Sequence, residues 1–119
     1  MKKTLCLIAL VFVSLAVSQE SQPHFLLRME LAPEVDVMHL SPTQMAALQQ
    51  HGARLTKLRD EGVVIAGGHT DDPKHMLGIV ILKARDLAAA RALAADDPAV
   101  KAGLMKPTLE PFTLAVPPK

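Results

Sequence analysis

Two short apolar runs, VVIAGG (63–68) and LGIVILKA (77–84), stand side by side in the middle of a 119-residue chain. Only the polar stretch HTDDPKHM (69–76), with a turn signal at Asp72-Pro73, lies between them. Short runs rich in valine and isoleucine, bounded by turn residues, read as strands, and this spacing predicts a hairpin-like pair. Each run has a helical segment on its outer side. Beyond those segments lie two further strands. HFLLRMEL (24–31) sets Phe25, Leu27, Met29 and Leu31 against His24, Leu26, Arg28 and Glu30 in strict alternation, and the last strand falls within TLEPFTLAV (108–116).

The first helix has a well-marked start. Ser41 is placed to cap it, Pro42 takes the first helical position, and Gln44 completes a capping box. Met45, Leu48, Leu55 and Leu58 then fall on one face, and Gly62 is the natural stop. Asp86 caps the second helix, LAAARALAA, which Pro98 is expected to end. The order is β-α-β-β-α-β, so the expected class is α+β with a ferredoxin-like antiparallel sheet and two helices on one face. A sheet with one wet face should alternate apolar and polar residues, yet VVIA and IVIL are apolar on both sides. The helices cover one face, and a second copy of the chain is the simplest cover for the other. A homodimer is expected.

The N-terminal end has its own pattern. Lys2 and Lys3 precede the apolar run 4–17, and Ala16-Val17-Ser18 supplies small residues before Gln19. This layout is that of a secretory signal peptide. A membrane anchor is the competing reading, but the run falls short of the roughly 20 residues a spanning helix needs. The expected organisation is a signal peptide at 1–18, a spacer at 19–23 and one domain at 24–116, in a periplasmic or secreted protein with no membrane attachment after cleavage. Cleavage removes two of the 13 basic residues, none of the 12 acidic ones, and the single cysteine. The mature chain is then near neutral. Thiol catalysis and cysteine–zinc sites are excluded, and a nucleic-acid partner, which calls for a basic face, is not expected. Only Phe25 and Phe112 remain as aromatics, so an RNA-binding module of the same strand order would lack its stacking platform.

His51 is the first candidate for chemistry. It shares a helix face with Leu48, Leu55 and Leu58, the side turned toward the sheet. Gly52 follows it, a residue costing about 1 kcal/mol relative to alanine within a helix, where it would let a backbone or ligand come close. From spacing alone, a buried histidine bonded to a carbonyl is the preferred reading over an acid–base role. Asp60, roughly 13 Å further along the helix and on its opposite face, is excluded as a partner. The remaining carboxylates lie in loops, and the pair Asp96-Asp97 precedes Pro98. A residue before proline is held out of helical geometry, which frees the Asp97 carboxylate to turn away from its helix. DDP also serves as a plain polar helix stop.

HGARLTKLRDEGVVIAGG (51–68), then the second central strand, then ADDPAVKAGL (95–104) and LEPF (109–112), resembles the YCII-related family of small dimeric α+β-barrel proteins. The resemblance spans roughly residues 24–115. It sets His51 at the family's helix histidine, Asp97-Pro98 at its aspartate-proline and Gly103 at the glycine that follows. It implies that His51 and Asp97 form an acid–base pair, and that relatives include ring-degrading and dechlorinating proteins. Gly68 stands where proline is usual, and Ala99 where a larger apolar residue is common, a change expected to loosen the pocket.

The loop residues His69, Asp71, Asp72 and His75 offer metal-ligand chemistry, but nothing fixes their geometry, and a solvated turn is the reading adopted. No metal or cofactor is expected. The expected protein is thus an exported homodimer with a small-molecule pocket around His51. His51 and Asp97 would be catalytic in an isomerase, lyase or dehalogenase-type step. A non-catalytic binding or interaction module of the same fold is the alternative.

Overall fold

A computed structural model describes residues 22–119; the signal-peptide region at 1–18 and most of the spacer lie outside the described residues. Its elements are β1 (His24–Leu31), α1 (Pro42–Asp60), β2 (Val64–His69), β3 (Leu77–Lys83), α2 (Leu87–Ala95), α3 (Pro98–Lys101) and β4 (Met105–Phe112). The four strands form one sheet in the order β2-β3-β1-β4. Each neighbouring pair is antiparallel. This is the expected ferredoxin-like α+β arrangement, with one added element, α3.

The caps explain where the helices start. The Ser41 hydroxyl accepts from the Gln44 amide at 3.2 Å while the Gln44 side chain accepts from the Ser41 amide at 2.9 Å, the reciprocal box expected from the sequence. Asp86 accepts from the Ala89 amide at 2.8 Å and opens α2. Gly62, at φ +77°, follows the end of α1, a conformation that costs a residue with a Cβ.

Alternation along the strands separates the two faces of the sheet. Phe25, Leu27 and Met29 of β1 are buried with Val64, Val80 and Leu82 of the central pair. Ala47 of α1 and Ala90 and Ala94 of α2 pack into the same core, their small side chains letting the helices sit close to the sheet. Met45 was expected on this apolar stripe but is 44% exposed; the stripe of α1 runs through Leu48, Leu55 and Leu58 instead. On the other face Leu26 pairs with Ile81, Arg28 with Ile79, and Ala66 with Ile81.

The ends differ from expectation in two places. Pro98 does not simply stop a helix: α2 ends at Ala95, and Pro98 occupies the first turn of α3 with Asp97 as its cap. Proline lacks the N–H that a first turn leaves unpaired, so it starts a helix as readily as it ends one. The last strand begins at Met105 and ends at Phe112, earlier than the stretch 108–116. Two prolines inside it, Pro107 and Pro111, disguise it; they are tolerated because β4 is an edge strand.

Candidate functional site

The middle of α1 and the short α3 pack against each other, and this contact brings His51 to Asp97 across 46 residues of sequence. Nδ1 of His51 lies 2.9 Å from each oxygen of the Asp97 carboxylate. A carboxylate only accepts, so Nδ1 carries the proton and donates. In the neutral ring the lone pair is then on Nε2, which has no protein partner among the described residues.

Asp97 is held rigidly. Its side chain is only 3% exposed, and its backbone, at φ −70° and ψ 133°, is extended, as the following proline requires. That geometry lets Oδ1 accept from the Ala99 amide at 2.9 Å and cap α3. Burial works to raise the Asp97 carboxyl. The His51 hydrogen bond, the Ala99 amide and the charges on His51 and Arg54 outweigh it, and the group is held below the ordinary aspartate value.

Arg54 is the member of this cluster that sequence reasoning missed. Its Nη2 donates to the Leu93 carbonyl at 2.9 Å, and its Nη1 reaches Asp97 Oδ2 at 3.5 Å. It lies three residues after His51, so the rule that places residues three apart on one helix face was the available signal. Asp96, by contrast, is 68% exposed and pairs with Lys101 at 2.7 Å. The acidic doublet therefore divides its work: Asp96 is a solvated turn residue and Asp97 a buried anchor.

His51 lines a pocket of about 380 Å³ between α1 and the sheet. Its walls include Leu48, Leu55, Met29, Met76 and Met105, and no Lys, Arg, Asp or Glu contributes to them. Gly52 faces this space, and a Cβ there would meet nothing within 4 Å. A Cβ at Gly68 would likewise meet nothing, but Gly68 pairs with Ile79, so it would project from the sheet face away from the helices. Ala99 does not loosen the pocket as expected: it is the fully buried residue of α3, in the core and off the pocket wall.

The polar loop between the central strands holds its own pairs. His75 Nδ1 lies 2.9 Å from Asp72 Oδ2, both largely exposed. Among the described residues, no three histidine, cysteine or acidic side chains converge as a metal site would require. His69 belongs to β2 rather than to this loop, and it lines the pocket. Asp60 is exposed and bonded to Arg59, away from the site.

The chain is similar in fold to a 5-chloro-2-hydroxyhydroquinone dehydrochlorinase from Burkholderia phenoliruptrix AC1100, solved in complex with 2,5-dihydroxybenzoquinone. The TM-score is 0.52 at 21% identity, over 76% of this chain and 93% of the other. No curated protein matches the sequence. Residues 26–112 match the YCII-related domain, from the third residue of β1 to the last residue of β4. Reaching all four strands, α1, α2 and the His51–Asp97 pair, that match shows that the chain belongs to the YCII-related family.

Proposed function

We propose that the protein binds a small, largely apolar ring compound in the pocket beneath α1, where His51 acts as a general base and Asp97 holds it in place. One observation carries the reading: Nδ1 is committed to a buried carboxylate, which leaves Nε2 as the free base on a residue that lines the pocket. A wall without lysine or arginine offers nothing to a phosphate, and its apolar lining suits the faces of a ring. The chemistry is proton abstraction, of isomerase, lyase or dehalogenase type. In the dehalogenase form, Nε2 takes a proton, the electrons of the broken bond form a new π bond in the ring, and chloride leaves with its bonding pair. The dehydrochlorinase of similar fold supports that form.

The test is chloride release from 5-chloro-2-hydroxyhydroquinone, alongside calorimetric binding of 2,5-dihydroxybenzoquinone. The wild-type protein should turn over the first and bind the second, and H51N should lose turnover by about 10²–10⁴-fold. A wild-type protein that does neither overturns the proposal. One that binds without turnover is the non-catalytic module.

Two further features belong to this reading. The sheet face away from the helices carries Leu26, Ile81 and the 37% exposed Ile79, and a second copy of the chain covers it. The chain is exported, and its mature form begins near Gln19.

A further inference from the structure

We infer that His69 is a second ligand-binding residue of this pocket, and that the site therefore selects ring compounds carrying a hydrogen-bond donor on each of two edges. The inference rests on the proposed use of the pocket by a small molecule. His69 closes β2, and cross-strand register fixes the side it faces. It pairs with Gly78, which pairs in turn with buried Met29, while Gly67, two residues earlier, pairs with buried Val80. His69 thus shares the helix-facing side of the sheet with the pocket it lines.

Its two neighbours on that face have no side chains. Gly67 precedes it by two on β2 and Gly78 stands directly across on β3. A Cβ would be tight at both: at Gly78 it would lie 3.2 Å from Met29 Cβ, and at Gly67 3.3 Å from the Ile79 carbonyl oxygen. Neither neighbour therefore sets a side chain beside the imidazole, which borders the pocket.

The hydrogen bonding of His69 repeats that of His51. Nδ1 lies 3.0 Å from the Thr70 carbonyl oxygen, which only accepts, so Nδ1 donates. In the neutral ring Nε2 keeps its lone pair and has no protein partner among the described residues. The other lining side chains are aliphatic, methionine or glycine, so the two imidazoles are the strong polar side chains of the wall. They come from different elements, α1 and β2. A ring with hydroxyls on two edges satisfies both, whereas a ring with one leaves an imidazole unpaired. A few fixed polar groups in an apolar wall set specificity in this way.

Calorimetry with hydroquinone and 4-methoxyphenol tests this, because the second keeps the ring and loses one donor. Wild-type protein should bind hydroquinone about threefold to tenfold more tightly. His69→Leu should remove that preference and leave 4-methoxyphenol affinity within about twofold, since His69 is exposed and holds no other element in place. Shift of the His69 ring proton resonances on adding hydroquinone should accompany wild-type binding. Equal affinity for both probes in the wild type, or a preference that survives in His69→Leu, overturns the role of His69 while leaving the pocket reading intact. Binding of neither probe, nor of 2,5-dihydroxybenzoquinone, removes both.

Discussion

At the scale of single residues, the site turns on one carboxylate with several donors. Asp97 accepts from His51, from the Ala99 amide and, at longer range, from Arg54, while being almost fully buried. Its pKa is lowered in the folded state, so its contribution to stability is present above the unfolded value of about 3.9 and is lost as pH falls through the folded one. Asp97→Asn keeps an oxygen for the α3 cap but removes the charge facing His51 and Arg54. It should cost about 1–3 kcal/mol at pH 7. Denaturant titrations of both proteins at pH 7 and below pH 3 check this: the gap between them should narrow at the acid end. A gap that is constant with pH would show that the charge of Asp97 contributes nothing.

At the scale of elements, α3 is the small device that makes the site. A four-residue helix leaves little pattern to read in a sequence, and Pro98 looks the same whether it ends one helix or starts the next. What was legible there was the constraint before proline, and that constraint is what aims Asp97 at His51. The long elements were legible because their caps and periodicity agree, as at Ser41 and Gln44. Arg54 was not singled out because its partners, Leu93 and Asp97, come together only when α2 and α3 fold against α1. Gly52 gives α1 a testable compromise. Its absent Cβ would meet nothing, so Gly52→Ala should stabilise the helix by about 1 kcal/mol while narrowing the pocket it faces. Chemical denaturation should show the gain, and calorimetry with 2,5-dihydroxybenzoquinone should show weaker binding. A variant that gains stability with undiminished affinity would place the ligand elsewhere.

At the scale of the whole molecule, the two faces of the sheet make different demands. Val80, 3% exposed, belongs to the core, while Ile81 lies on the face proposed to meet a second copy. Ile81→Asp should give a folded monomer in sedimentation and Val80→Asp an unfolded chain. Wild-type protein that sediments as a monomer at micromolar concentration contradicts the dimer. Intact-mass measurement of the exported protein should find Gln19 near the start; Met1 still attached in the envelope fraction contradicts cleavage. The central claim is that His51 works in the pocket rather than merely bracing Asp97. His51→Asn tests it most directly, because the asparagine amide can still donate to Asp97 while nothing titratable remains. The measurement is thermal unfolding of both proteins with and without 2,5-dihydroxybenzoquinone. The predicted result is a variant that melts close to the wild type yet loses the stabilisation that the probe gives the wild type; a variant that melts well below the wild type and is still stabilised by the probe to the same extent would contradict it.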